Sequence, residues 1–169
     1  MMNIRTIAAG LLALCVSSCS YHLGGVKPAS MEHLNTFCVE MFSNYTLQPN
    51  AGMLMTTAMA NTLQSDGTYR MAPRNDADFI VKGEVVSIER ESLTTNTEDT
   101  YVSTQIGINV NVEYQVIERK TGRVIIDSEE EAQGSYFNQV GSTQSSLETA
   151  LSYATRRIAQ DITLSLTTR

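Results

Sequence analysis

Ile106, Ile108, Val110, Val112, Tyr114 and Val116 alternate without a break against Gly107, Asn109, Asn111, Glu113 and Gln115. Side chains on a strand point to opposite faces in turn. This run therefore predicts a strand with one dry face and one wet one, and hence a sheet packed on one side only. Arg119-Lys120-Thr121-Gly122 then closes a hairpin, with Gly122 free to take a positive φ. Val124 to about Phe137 returns, acidic in its middle at Glu129, Glu130 and Glu131. Upstream, Phe79 to Glu91 reads as another long strand. Its alternation slips near Val85-Val86, where a bulge is expected, and Gly83 inside it predicts close approach of another backbone. Thr36 to Ser43 is a first strand with apolar groups on both faces, which places it inside a sheet. Tyr69 to Met71 fits a short edge strand.

Two segments follow a helical period instead. Residues 51–65 carry Leu54, Ala58 and Leu63 with Met55 and Met59. Asn50 or a neighbour is placed to cap that helix, and Asp66-Gly67 to end it. Its methionines suit core packing or an adaptable binding surface, and packing is the simpler account. Ser145-Ser146-Leu147-Glu148 has the form of a capping box. The helix after it puts Leu147, Ala150, Leu151, Ala154, Ile158, Ile162 and Leu166 on one stripe, with Arg156 and Arg157 off it. Two amphipathic helices need an apolar sheet face, and the sheet supplies one. The expected fold is an α+β two-layer sandwich, a mixed sheet of about four strands with both helices packed on one face.

The N-terminus adds a separate signal. Arg5 and the terminal amine precede an apolar stretch, Ile7 to Val16, too short to cross a bilayer. Val16-Ser17-Ser18-Cys19 then reads as a lipobox, with small residues where a signal peptidase has narrow subsites. The alternative is an ordinary secretory signal with a chance cysteine. The expected organisation is a signal peptide over 1–18, a lipidated tether over 19–35 that begins at Cys19, and a single α+β domain over 36–169. Stable anchoring takes more than one acyl chain, which a bacterial lipoprotein cysteine carries. Ser20, where an aspartate would favour inner-membrane retention, points to the outer membrane.

Charge narrows the partners. The chain carries −6 overall, and removing 1–18 with its lone Arg5 makes that −7, a balance that argues against nucleic acid and against a polybasic membrane patch. With Cys19 acylated, Cys38 has no intramolecular partner. It reads as a buried small apolar strand residue in preference to a reactive thiol.

Cys19-Ser20-Tyr21-His22-Leu23-Gly24-Gly25 resembles the start of mature LptE-family lipoproteins. The segment from Asp76-Ala77-Asp78-Phe79 to Gly83-Glu84-Val85 is also similar to that family, as are the order of strand, helix, long alternating strand, hairpin and final helix. The resemblance implies a non-enzymatic outer-membrane lipoprotein, lipid-anchored and facing the periplasm. Such a protein sits in the lumen of an LptD-type β-barrel, assists that barrel's assembly and takes part in lipopolysaccharide delivery. A barrel plug needs a compact body with a polar outer surface. The Gly/Asn/Asn/Glu/Gln face fits that need, and plain solvent exposure explains it equally.

One departure stands out. Relatives carry basic lipopolysaccharide-contacting residues between the second and third strands and on the returning strand. Here those regions read Ser92 to Asp99 and Glu129 to Glu131, neutral or acidic. The local basic group that remains is Arg119, Lys120 and Arg123 at the hairpin, with Arg90 close by. Forked arginines suit lipid A phosphates, and a solvated turn accounts for the same residues.

His22 and His33 are the only histidines, and no HExxH, CxxC, GxSxG or phosphate-binding glycine loop occurs. Asp76-Ala77-Asp78 and the Glu129 to Glu131 run lack the spacing of a cation loop. No cofactor and no metal are expected. The competing readings are a lipid-binding or scaffolding lipoprotein of another envelope machine and a tethered periplasmic hydrolase.

Overall fold

The computed structural model describes residues 25–92, 104–138 and 143–168. Its elements run β1 (Thr36–Val39), β2 (Ser43–Asn44), α1 (Ala51–Asp66), β3 (Arg70–Met71), β4 (Phe79–Ser92), β5 (Thr104–Glu118), β6 (Val124–Asn138) and α2 (Thr143–Thr167). The sheet order is β3-β1-β4-β5-β6, with β2 also on β4. β1 and β2 pair β4 in parallel, while β4–β5 and β5–β6 are antiparallel. The sheet is mixed, as expected, and has six strands where about four were foreseen.

The extra strands have a local cause. The expected first strand is split, because the chain leaves the ladder between Val39 and Ser43. There the Phe42 N–H donates to Thr56 Oγ1 on α1 at 2.9 Å, and the Phe42 side chain turns into the core. β3 is the short edge strand read from Tyr69 to Met71.

Both helices cover the same sheet face. β4, β5 and β6 contribute Val81, Val85, Ile108, Val110, Val112, Val116 and Ala132 to one core, shared with Met55, Met59 and Leu63 of α1 and Ala154, Ile158 and Ile162 of α2. α1 packs beside α2 over β1 and β4, and α2 lies along β5 and β6. The α1 stripe is rotated slightly from expectation. Ala51, Gly52, Met55, Met59 and Leu63 are buried, and Leu54 and Ala58 lie at the margin of the core. Asn50 stands at the N-cap without a side-chain cap bond, and Gly67 ends α1 at φ 80°. α2 begins at Thr143, so Ser145 stands inside its first turn and does not precede it.

The slip in β4 is a register shift between Val85 and Ser87. It changes the face of every later residue by one position, so Ile88 and Arg90 stand opposite Val110 and Ile108 of the dry face. Gly83 meets its expected crowding. A Cβ there would fall against the Glu113 carbonyl and 2.5 Å from Phe42 Cε1. The Arg119–Gly122 turn closes with the Gly122 N–H on the Glu118 carbonyl at 2.8 Å and Gly122 at φ 72°.

Residues 25–35, where a tether was expected, are packed against the domain. Met31 and Leu34 are core residues. The chain turns through a Met31 N–H to Pro28 carbonyl bond and a Leu34 N–H to Met31 carbonyl bond. Asp78 then fixes the entry to β1 by accepting from the Asn35 and Thr36 amides and the Thr36 hydroxyl.

Candidate functional site

The wet face of the sheet takes its character from register. Beyond a register shift between Val116 and Ile117, Glu113 pairs with Glu129, Gln115 with Asp127 and Asn111 with Glu131. The β4–β5 ladder extends these rows to Glu84, Lys82 and Ser87. Glu84, Glu113 and Glu129 thus stand side by side on three adjacent strands. Like charges directly opposite on a sheet cost stability. The neighbouring row adds an acceptor without a donor, since Asn111 Oδ1 is shielded and has no hydrogen-bond partner among the described residues. A shallow cavity of about 340 Å³ opens on this face between Glu40, Lys82, Glu84, Glu113 and Asp127. No group of acidic, histidine or cysteine side chains among the described residues is arranged to hold a metal ion.

The acidic run of β6 does not act as one patch. Glu129 and Glu131 share the wet face, whereas Glu130 stands opposite Val112, on the side of α2. Burial, and secondarily the Asp161 carboxylate on α2, push the Glu130 carboxyl up. Nearby, the Tyr114 hydroxyl lies 3.4 Å from Ser165 Oγ.

The structure separates the four expected phosphate-binding cations. Arg90 is opposite Ile108. The ten steps of β5 from there to Glu118 span roughly 34 Å at ~3.4 Å per residue, so Arg90 is not near the hairpin. Each hairpin cation also has a local partner. Arg119 Nε donates to the Ala77 carbonyl, Lys120 Nζ lies 3.9 Å from Asp78, and Arg123 lies 3.5 Å from Glu118. The sequence could not show the Ala77 and Asp78 contacts, which tertiary packing brings to the hairpin, whereas Glu118 lies in the same turn as Arg123. Glu118 also accepts from Thr121 and pairs with His33 at 3.1 Å, and these contacts hold its carboxyl below the usual range.

Arg90 has different company. With Tyr45, Leu47, Val86 and Ile88 it lines an open cleft of about 380 Å³, in which Leu47 is 98% exposed and Tyr45 71%. The β2–α1 connection that supplies Tyr45 and Leu47 was not singled out from sequence, and Leu47 beside Pro49 gave no periodic signal. Cys19 and its lipobox lie outside the described residues. Cys38 is free and only half-buried, where a buried residue was expected. Burial first and the Glu40 carboxylate second push its thiol up, which makes it a poor nucleophile.

This open α+β sandwich recurs in solved structures of bacterial proteins. At 10% identity and TM-score 0.55 it matches the crystal structure of protein XCC0632 from Xanthomonas campestris, over 86% of this chain and 87% of that one. At 11% identity and TM-score 0.54 it matches the hypothetical protein CT253 from Chlamydia trachomatis, over 79% and 96%. A protein described as a lipoprotein from Caulobacter crescentus CB15 matches at 11% identity and TM-score 0.53, over 78% and 87%. At such identities the likeness is one of fold. No curated protein matches the chain in sequence.

The family model LptE, lipopolysaccharide-assembly, matches residues 34–166. The chain belongs to the LptE family, and its role is that of an envelope lipoprotein in lipopolysaccharide assembly.

Proposed function

We propose that the protein is anchored through Cys19 in the outer membrane, faces the periplasm, and seats inside the lumen of an LptD-type β-barrel. There it acts as a plug, assists assembly of the barrel and takes part in handing lipopolysaccharide to the outer leaflet. The wet sheet face is the observation that carries this reading. Each like-charge pair along Glu84, Glu113 and Glu129 costs on the order of 0.2–1 kcal/mol in the free domain. A lumen wall with complementary donors would offset that cost. Dimensions agree. β5 has 15 residues, roughly 50 Å at ~3.4 Å each, comparable with the ~40–45 Å of a bilayer including headgroups.

Lipopolysaccharide contact belongs at the Arg90 end. A guanidinium without an ion-pair partner among the described residues, beside exposed Tyr45 and Leu47, offers a fork for phosphate next to apolar surface for acyl chains. Arg119, Lys120 and Arg123 stand at the opposite end of β5, where the chain enters the domain, and are weaker candidates for that role.

A photocrosslinking amino acid placed in living cells tests both surfaces. At Asn109 it should capture a large heat-modifiable barrel protein, and at Leu47 it should capture lipopolysaccharide. Capture of only a small soluble partner at Asn109 would favour a scaffolding lipoprotein of another machine and refute the plug.

A further inference from the structure

We propose that the hairpin end of the domain, which stands at the periplasmic mouth when the body seats in the barrel, rests on the phosphate headgroups of the glycerophospholipid leaflet that holds the acyl chains, so that Lys120 and Arg123 form a second membrane contact. The proposal rests on the lipoprotein reading of Cys19 and adds an orientation to it.

The first argument is where the chain enters the domain. The Gly25 N–H donates to Thr68 Oγ1 at 2.6 Å, and a Cβ on Gly25 would collide with the backbone of Thr167. Thr68 follows α1 and Thr167 ends α2, at the same end of the sheet as the hairpin. From Gly25 onward there is no slack. Lys27 Nζ donates to the Leu34 carbonyl at 2.6 Å and to Asn35 Oδ1 at 2.8 Å, and lies 5.1 Å from the centre of the Tyr69 ring. His33 reaches Glu118, the residue before the hairpin, at 3.1 Å. The entry point and the hairpin are therefore fixed to each other.

The second argument is reach. Six Cα–Cα steps separate Cys19 from Gly25, at most roughly 20–22 Å of chain. A body whose long strands run roughly 50 Å, held at one end by so short a leash, presents that end to the bilayer.

The third argument is composition. Lys120 and Arg123 side chains are 70% and 59% exposed despite their pairing. Asp78 already accepts from Asn35 and Thr36, and Glu118 is shared among His33, Thr121 and Arg123, so the cations keep outward reach. Exposed apolar side chains accompany them at this end: Val26, Met71 and Val124. Cations interleaved with modest apolar groups suit the headgroup region. The alternative approach, through the wet sheet face, would bring Glu84, Glu113 and Glu129 against an anionic surface.

The test uses the full acylated protein in vesicles of phosphatidylethanolamine and phosphatidylglycerol doped with a headgroup-linked quencher. A Cys38→Ala background carries one fluorophore, at Thr121→Cys or at Gln133→Cys. Quenching should be at least about fivefold stronger at position 121. Adding Lys120→Ser and Arg123→Ser should lower the phosphatidylglycerol-dependent part by about fivefold for each cation removed, with both variants folded because these side chains project from a turn. Equal quenching at the two positions, or quenching at 121 indifferent to phosphatidylglycerol and to the double substitution, would overturn the proposal. Intact mass of the same sample keeps the two ideas apart. An acylated protein with an unquenched hairpin defeats the orientation alone, and an unacylated one defeats the lipoprotein reading and the orientation together.

Discussion

Gly83→Ala is expected to destabilise the domain, although alanine is ordinarily the better residue in an ordered element. Gly83 pairs with Tyr114 and lies under the ring of Phe42. An added methyl would stand 2.5 Å from Phe42 Cε1 and 3.1 Å from Cδ1, and against the Glu113 carbonyl. The ring could give way only by leaving a buried position, and the carbonyl is locked in the β4–β5 ladder. Forcing a methyl into such a place costs about 1–3 kcal/mol. The restricted unfolded chain returns about 0.4–1 kcal/mol. The net loss is roughly 1–2 kcal/mol, or roughly 3–8 °C in melting temperature for a domain of this size. Thermal and urea unfolding followed by circular dichroism would measure it. Gly122 supplies the control, because nothing lies within 4 Å of its would-be Cβ and its φ is +72°. Asparagine tolerates that conformation, so Gly122→Asn should recover most of what Gly122→Ala loses, whereas Gly83→Asn should be worse than Gly83→Ala. Phe42→Ala should also couple with Gly83→Ala, the double variant losing less than the two singles together by at least about 0.5 kcal/mol. A Gly83→Ala protein as stable as the parent, or strict additivity with Phe42→Ala, would refute the packing argument.

Other expected outcomes follow from single contacts. The buried Tyr69 hydroxyl donates to the Leu166 carbonyl at 2.8 Å, so Tyr69→Phe should cost about 0.5–1.5 kcal/mol in urea unfolding. Burial, with a smaller push from Asp66, raises the Tyr69 phenol to about 12. Its contribution is therefore complete below pH ~10, the ordinary tyrosine value, and fades as pH rises from there toward 12. Tyr69→Phe should remove that part of an alkaline unfolding curve, and an unchanged curve would contradict the assignment. The Asp78 carboxyl is held below its ordinary range chiefly by the Asn35 amide, with help from Thr36 and Lys120. Its support is present above the ordinary carboxylate value and is lost as pH falls through its lowered one, so acid should lower the hydrogen-exchange protection of the Asn35 and Thr36 amides relative to their intrinsic rates. Asp78→Ala should produce that loss of protection at neutral pH. Cys38 should react with a maleimide more slowly than free cysteine at pH 7.5, and a rate equal to or above that of free cysteine would show that burial does not govern it.

The parts of the fold legible in the sequence are those where one physical demand acts alone. β5 alternates because one face is dry and the other wet, and its pattern from Ile106 to Val116 survives intact in the structure. The bulge after Val85 and the crowding at Gly83 were readable because each breaks a rule that the rest of β4 keeps. Where demands combine, the pattern blurs. Met31 and Leu34 reach the core from a turn too short to show a period. The break before Ser43 depends on a threonine of α1 that only tertiary structure brings to Phe42. The α1 stripe centres on Met55 and Met59, with Leu54 and Ala58 at its edge, because α1 sits in the corner between the sheet and α2. The candidate site divides in the same way. The wet face was visible as a polar register, but its rows of carboxylates depend on a register shift between Val116 and Ile117, since an unbroken count from Ile117 opposite Val124 would set Glu113 against Ser128. The tying of Arg119 and Lys120 to Ala77 and Asp78 depends on tertiary pairings that no local pattern encodes.

The central claim is that this two-layer body lives inside a barrel and not free in the periplasm. Gentle detergent extraction of native envelopes, affinity capture of this chain, and electrophoresis of the eluate with and without boiling test it most directly. A one-to-one complex with a large protein whose mobility changes on heating is the expected result. A chain that elutes by itself, or with no protein of that kind, would contradict it.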